Sequence, residues 1–187
     1  MTLSNETYWI NISKVNYPLR YMEAQAYDHV FNPCEYTEDD FHSAFIIKIK
    51  NVHSERYIAL IGSFYADEEH CAALDGTSLT VLMDDEIVNF NLEILSISKQ
   101  KSVGNETYFS IYSINGGYII HGELSILRLD KNHERLWDFS GSDIWVTQDR
   151  THEAFKILDD QIFLEDWNGV QYAIDMDGKL IWDTFNE

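Results

Sequence analysis

Apolar and polar residues alternate along most of this chain of 187 residues. For example, Phe90, Leu92 and Ile94 would share one face of a strand, with Glu93 and Leu95 on the other. Neither face of such a strand is wholly polar, which predicts burial on both sides. The segments rich in β-branched and aromatic residues are 44–50, 56–64, 78–83, 87–97, 107–114, 118–129, 143–147, 155–158, 162–166 and 170–175.

Short turn signals separate these segments. They include Asp-Gly at 75–76, Asn-Gly-Gly at 115–117, Asn-Gly at 168–169 and Asp-Gly at 177–178. The resulting spacing of about 8 to 14 residues is typical of antiparallel sheets. We therefore predict an all-β fold, a single domain over 1–187, with antiparallel sheets packed as a sandwich or an open meander.

Segment 20–31 leaves the choice between helix and strand open. Met22, Ala26 and Val30 would lie on one face of a helix that Pro33 would stop. The same segment also alternates passably as a strand. We expect at most one or two short helices in the whole chain.

The C-terminal part contains a local repeat of about 45 residues, with a possible sub-repeat over 118–187. The sequence RLDKNHERLWDFS at 128–140 is echoed by AIDMDGKLIWDTF at 173–185, and Trp137 aligns with Trp182. Each copy is predicted to be a hairpin followed by a further strand. We expect the two copies to form one contiguous sheet, and both tryptophans to pack in the core or between sheets.

The second copy resembles a blade of the quinone-dependent-dehydrogenase type of β-propeller. The residues that carry the resemblance are Tyr172, Ala173, Ile174, Asp175, Gly178, Lys179 and Trp182. The first copy departs from this pattern, because His133 stands where Gly178 stands in the second. A closed propeller needs at least four blades of about 40 to 50 residues, and the N-terminal half shows no third clear copy. The resemblance therefore implies a local blade-like unit.

The sequence predicts that the protein binds no metal ion and no cofactor. Asp175, Asp177 and Gly178 stand in the order of a calcium loop, but the next positions hold Lys179 and Leu180 instead of oxygen ligands. A tight turn with a positive φ at Gly178 is the predicted structure. The seven histidines form no H-x-x-x-H or H-x-H pair that would bind zinc.

No catalytic motif is recognisable in the sequence. The nucleophile elbow, the Walker loop and the dinucleotide fingerprint are all missing. His70 and Cys71 would be a base and a nucleophile by residue type. They are neighbours in the chain, however, and neighbouring strand residues point to opposite faces, so they do not form a catalytic pair. Cys34 and Cys71 are predicted to be buried free thiols. We therefore predict that the protein is not an enzyme.

Charge is the one compositional extreme, since 32 acidic and 13 basic residues give a net charge of −19. The segment 57–98 holds eight acidic residues and no lysine or arginine. Such a surface repels nucleic acid and anionic membranes and attracts basic proteins. Because no leader sequence or membrane-spanning segment is recognisable, we expect the protein to be cytoplasmic.

In its small size, β-rich pattern and acidity, the chain is similar in type to bacterial immunity proteins that neutralise polymorphic or contact-dependent toxins. That resemblance implies a basic partner, a nuclease-type toxin domain, held by direct binding. The expected partner-binding residues are Asp67, Glu68, Glu69, Asp84, Asp85 and Glu86. The aromatic residues expected to anchor the partner beside them are Phe64, Tyr65 and Phe90.

Two other functions remain open at this stage. The chain could be a β-rich enzyme that acts on a sugar or another small substrate through acidic residues, although no carboxylate pair is singled out. It could also be a structural or scaffolding module of a larger assembly.

Overall fold

The computed structural model describes residues 1–16, 27–40, 42–66, 69–148 and 152–185. These residues form strands, turns and bends, with no helix among them, and so confirm the predicted all-β class. The strands, in chain order, are β1 (Thr2–Ser4), β2 (Trp9–Val15), β3 (His29–Phe31), β4 (Ser43–Lys50), β5 (Glu55–Gly62), β6 (Ala72–Asp75), β7 (Ser78–Met83), β8 (Glu86–Asn91), β9 (Ser96–Ser102), β10 (Tyr108–Ile114), β11 (Gly117–Gly122), β12 (Ile126–Asp130), β13 (Arg135–Phe139), β14 (Phe155–Leu158), β15 (Gln161–Glu165), β16 (Gln171–Asp175) and β17 (Leu180–Asp183).

These strands form four sheets. Sheet A has the order β1-β2-β4-β5-β3, and β3 pairs with β5 in parallel. Sheets B, C and D are antiparallel meanders of four strands each, β6 to β9, β10 to β13 and β14 to β17. The chain separates into two compact units, the first Met1–Asn105 with Phe109–Ile111, and the second Glu106–Tyr108 with the residues from Tyr112 onward. The expectation of a single domain stays a prediction.

Unit 1 contains sheets A and B. On one face of the central strands of sheet A, Ile10, Phe45, Ile58 and Leu60 are fully buried, and on the other face Ala44, Ala59 and Ile61 are buried. Sheet B is buried in the same way along β7 and β8. Its β8 residue Phe90 packs edge-on against Phe31 of β3, with ring centroids 5.2 Å apart. The two-sided burial predicted from the alternation is therefore present here. The prediction of one strand over 87–97 was wrong, because residues 92–95 form the turn between β8 and β9, where Ile94 is 70% exposed.

Unit 2 contains sheets C and D with a shared core. The buried members of this core are Ile119, Ile126, Trp145, Phe155, Ile162, Leu164, Tyr172 and Ile174. Trp145 is completely buried and packs edge-on against Tyr172. It comes from segment 143–147, which was predicted as a strand and is none. That prediction was wrong. The backbone N–H of Trp145 donates to the carbonyl of Glu123, a residue between β11 and β12, so it belongs to no strand ladder, and the Trp145 ring fills the core.

The repeat is present, but its two copies lie in separate sheets instead of one contiguous sheet. In sheet C, Arg128 pairs with Trp137, and in sheet D, Ala173 pairs with Trp182. Each pairing is followed by a register shift at the same place, between Arg128 and Leu129 and between Ala173 and Ile174. The 45-residue offset seen in the sequence is thus an offset between equivalent strands of sheets C and D.

Two predicted elements need correction or fall outside the described residues. The predicted strand 118–129 is two strands, because the Gly122 N–H donates to the Ser125 carbonyl and closes a turn between them. Of segment 20–31, residues 20–26 lie outside the described residues, so helix and strand remain undecided there. The remainder contains β3, which is a strand.

Candidate functional site

The topology of sheet B brings Glu69 and the predicted acidic triplet at 84–86 to one end of the sheet. Asp84 and Asp85 form the turn between β7 and β8, and Glu69 precedes β6. The Leu82 N–H donates to the Cys71 carbonyl over 2.9 Å, which pairs the start of β6 with the end of β7. Two further members of the first triplet, Asp67 and Glu68, lie outside the described residues. We call this end of the sheet the acidic end.

The β7–β8 turn holds its two aspartates in different environments. Met83 pairs with Glu86, so that only Asp84 and Asp85 lie in the loop. Asp84 takes a φ of 41°, in the left-handed region that aspartate tolerates better than most residues. Its Oδ1 atom is shielded from solvent and accepts no hydrogen bond from a described residue. Asp85 is exposed, and its carboxylate therefore faces solvent.

Glu86 is tied into the protein and is not a free surface charge. Its Oε2 accepts a hydrogen bond from Nε2 of Gln100 over 2.7 Å and lies 3.7 Å from Sγ of Cys34. These contacts place the loop after β3 against the first residue of β8. The predicted triplet 84–86 therefore contains a structural carboxylate beside an exposed one.

Cys34 and Tyr36 lie beside the acidic end, and the pKa of each is raised by burial and by nearby carboxylates. Burial, and after it the Glu86 carboxylate, raises the pKa of the Cys34 thiol. Burial also raises the pKa of Tyr36, assisted by the charges of Cys34 and of all three acids at 84–86. Cys34 is exposed, contrary to the prediction, and its raised pKa disfavours the thiolate, which is the nucleophilic form. Cys71 is a buried free thiol, as predicted.

A third acidic segment, which the sequence analysis missed, continues from this contact. Residues 35–40 contain Glu35, Glu38, Asp39 and Asp40, all of them exposed. Local hydrogen bonds fix their backbone, because the Asp40 carboxylate accepts from both the N–H and the hydroxyl of Thr37, over 2.7 and 2.8 Å. The run CEYTEDD is visible in the sequence, but it lies outside the base-free segment 57–98, and only a tertiary contact brings it beside the turn.

Of the three predicted aromatic anchors, one is accessible. Tyr65 is 69% exposed, and its ring lies 6.2 Å from that of Phe109. Phe64 is buried and stacks on Phe45 with ring centroids 3.9 Å apart, and Phe90 is also buried. The prediction was wrong for Phe64 and Phe90, because their side chains fill the core of unit 1.

The calcium-loop pattern at 175–178 is a tight turn, as predicted. Gly178 has a φ of 77°, and Oδ1 of Asp175 accepts the backbone N–H groups of Asp177 and Lys179, each over 2.9 Å. Among the residues that the structure describes, no group of three or more His, Cys, Asp or Glu side chains is arranged to hold a metal ion. That the protein binds no metal stays a prediction.

Sheet D carries an open groove that the sequence analysis did not expect. Its volume is about 240 Å³, and Phe163 and Trp182 line it together with an ion pair between Nε2 of His152 and Oε1 of Glu165, 2.9 Å apart. Trp182 is 42% exposed, so its predicted place in the core was wrong. Trp137 is half-buried, packs against the core of unit 2 and contacts Met176 and Gly178 of sheet D, so the prediction of core or inter-sheet packing is confirmed for it.

The comparisons with known proteins concern the fold alone. No family model matches the chain, and no curated protein matches it. The computationally designed Ika8 protein is similar with a TM-score of 0.52 and 9% identity, over 78% of this chain and 46% of that chain. BamB from Moraxella catarrhalis follows with a TM-score of 0.48 and 9% identity, over 76% of this chain and 46% of that chain.

These structural neighbours have β-propeller-like folds. The chain spans less than half the length of the solved structures it matches. Their descriptions name no reaction. No helix among the described residues is long and apolar enough to cross a membrane.

Proposed function

We propose that this protein is a non-enzymatic binding protein that neutralises a cationic, nuclease-type toxin, and that the acidic end of sheet B receives the toxin. The observation that carries the proposal is the meeting of two acidic segments distant in sequence. The contact between Cys34 and Glu86 joins segment 35–40 to the turn at 84–86. The exposed carboxylates of segment 35–40 begin at Glu35, one residue after this contact, and we propose that they form one surface with Asp85.

The chemistry of this surface suits a partner rich in lysine and arginine. The two bases of β9, Lys99 and Lys101, lie by alternation on the opposite face of that strand from Gln100, which contacts Glu86. Oδ1 of Asp84 accepts no hydrogen bond from a described residue, and a shielded acceptor of this kind is costly in a protein alone. Asp85, exposed in the same turn, is the carboxylate that a cationic side chain of a partner would contact.

The charge also explains how an inhibitor would compete with nucleic acid. A nuclease cleft is basic because it binds phosphates, so a rigid acidic surface can occupy it in their place. With a net charge of −19, the chain would attract such a partner over long distances and speed their encounter. Tyr65, exposed in the same loop as Glu69, would add an aromatic contact at the edge of the surface.

Capture from the native organism tests the proposal. The immobilised wild-type chain should retain a basic protein at low salt and release it as the salt concentration rises. The same bait with Asp85→Lys should retain much less of it. Asp177→Lys is the matched control, because it makes the same change of charge at an aspartate whose side chain is 80% exposed in unit 2. Equal capture by all three baits would contradict the proposal.

A further inference from the structure

One face of sheet A is covered at one end and open at the other. At the covered end, the side chains of Ala44, Ala59 and Ile61 lie on this face and are buried. Tyr27 and Tyr36 pack against them. The alternation of β4 and β5 continues past these residues, so the same face can be followed to the open end of the sheet.

At the open end of this face, beside the β1–β2 and β4–β5 turns, polar and aromatic side chains replace the apolar ones. Strand pairing places one residue of each of four neighbouring strands in a row on this face, in the order Ser4, Trp9, Lys50 and Glu55. A second row, two residues along each strand, consists of Thr2, Asn11, Lys48 and Tyr57. The open end is therefore a surface built for water or for a polar ligand.

The first of these rows lines an open groove of about 540 Å³, which we call the Trp9 groove. Its walls are two fixed turns. In the β1–β2 turn, Oδ1 of Asn5 accepts the N–H groups of Thr7 and Tyr8 over 2.9 and 2.8 Å, and its Nδ2 donates to the Gly76 carbonyl over 2.8 Å. In the β4–β5 turn, Oδ1 of Asn51 accepts two backbone N–H groups. The volume is that of a small-molecule site with preorganised walls.

The charges that line the Trp9 groove balance one another. Nζ of Lys48 lies 2.9 Å from Oε1 of Glu55, and this oxygen also accepts the Tyr57 hydroxyl over 2.7 Å. The two other charged residues of the lining are one base, Lys50, and one acid, Glu6. The lining is thus neutral in a chain whose net charge is −19. A ligand that carries a net charge gains no attraction from such a lining.

The Trp9 groove presents an aromatic ring together with available hydrogen-bond donors. Trp9 is 39% exposed. Its Nε1 atom, Nζ of Lys50 and Nδ2 of Asn51 donate to none of the residues that the structure describes. An apolar ligand would cover these donors without giving them a partner, which is costly. The lining therefore suits a neutral ligand that has one apolar face and many hydrogen-bonding groups.

We propose that the Trp9 groove binds a neutral oligosaccharide. A sugar ring packs its C–H face on an indole, and its hydroxyl groups both donate and accept hydrogen bonds. Trp9 would stack on one sugar ring, Lys50 and Asn51 would donate to its hydroxyl groups, and Glu55 would accept from them. The bond from Asn5 to Gly76 places this groove beside the β6–β7 turn, at the other end of sheet B from the acidic end. A sugar bound there leaves the acidic end free.

Two-dimensional ¹H–¹⁵N NMR of the whole chain tests the inference. The neutral probes are maltotriose, cellotriose and triacetylchitotriose, and trigalacturonate is the charged probe. The indole N–H signal of Trp9 is assigned by its loss in Trp9→Phe. At least one neutral probe should shift this signal saturably, with a dissociation constant of about 10 µM to 1 mM. Added salt should leave that constant unchanged, whereas binding of a basic protein at the acidic end should weaken.

Substitutions in the groove should weaken the binding of the neutral probe. Trp9→Ala should raise its dissociation constant by about tenfold or more, since the stacking surface is lost. Trp167→Ala is the matched control, because Trp167 lies in unit 2 and its 42% exposure is close to the 39% of Trp9. It should bind the probe as the wild type does.

Circular dichroism shows whether each variant is folded. If Trp9→Ala does not fold, Lys50→Ala replaces it and should raise the dissociation constant by about threefold or more, because a donor is lost. Three results would overturn the inference: no neutral probe shifts the Trp9 signal, trigalacturonate alone binds, or the folded groove variants bind the neutral probe as tightly as the wild type.

Discussion

Asp130 and Asp175, 45 residues apart, close the same turn in sheets C and D. Oδ1 of each accepts the backbone N–H groups of the residues two and four positions later, over 2.8 Å at Asp130 and 2.9 Å at Asp175. The residue three positions later has a positive φ in both, 63° at His133 and 77° at Gly178. The repeat is therefore a structural unit used twice, in which a histidine adopts the conformation of the glycine.

The Gly178 position should tolerate no side chain. Gly178→Ala adds a Cβ atom within 2.7 Å of the Trp137 ring and strains a φ of 77°. Gly169→Ala strains a nearly equal φ of 79° but meets no atom within 4 Å. We expect a loss of about 1 kcal/mol at Gly169 and about 2 to 4 kcal/mol at Gly178. Urea denaturation measures the loss of unfolding free energy in both variants. Equal losses would show that the Trp137 ring moves aside without any loss of stability.

The two equivalent tryptophans should differ in their contribution to stability. Trp137→Ala removes a half-buried ring and the hydrogen bond to Met176, and should cost about 2 to 4 kcal/mol. Trp182→Ala removes a ring that is 42% exposed, and should cost about 1 kcal/mol or less. Urea denaturation measures both losses. A loss at Trp182 as large as that at Trp137 would mean that the groove of sheet D is a packed core.

Acid should destabilise the attachment of β3 to β5. The Tyr57 N–H and, after it, the Arg56 guanidinium lower the pKa of Asp28, which accepts from each over 2.7 Å. A carboxylate whose folded-state pKa is lowered stabilises the fold above its ordinary pKa of about 4, and this stabilisation is lost as the pH falls through the folded-state value. Asp28→Asn should thus lower the melting temperature at pH 7.

Melting curves from pH 7 to pH 2 test this effect, with Asp39→Asn, a change at an exposed aspartate, as the control. The gap between wild type and Asp28→Asn should narrow below about pH 4. The Asp39→Asn curve should follow the wild type at every pH. A gap at Asp28 that stays constant with pH would rule out the ionised carboxylate as its cause.

The sequence predicted local structure better than the assembly of sheets. Alternation and turn residues predicted the all-β class and the tight turn at Gly178, because both depend on neighbours in the chain. The separation of the two repeat copies into different sheets depends on the chain between Phe139 and Phe155, where Trp145 leaves the strand pattern to fill the core. The neighbouring residues in the sequence do not distinguish a tryptophan in a strand from one in a loop whose ring is buried in the core.

At the acidic end, too, the sequence predicted the local turn but not the tertiary contacts around it. The triplet at 84–86 was visible as a charged turn, but its division into a shielded Asp84, an exposed Asp85 and a bonded Glu86 depends on Gln100 and Cys34. Segment 35–40 was missed because its position beside the turn results from a tertiary contact. Phe64 and Phe90 were expected as anchors for the same reason, since local sequence does not distinguish a core ring from a surface ring.

The association rate constant of the captured basic partner, measured at increasing salt concentration, tests the central claim most directly. For the wild type this rate should fall steeply with salt, and Asp85→Lys should lower it by about five- to tenfold at low salt with a smaller effect on dissociation. Asp177→Lys, with the same change of charge, should lower it by less than about twofold. A rate that is indifferent to salt, or that both variants lower equally, would contradict binding at the acidic end.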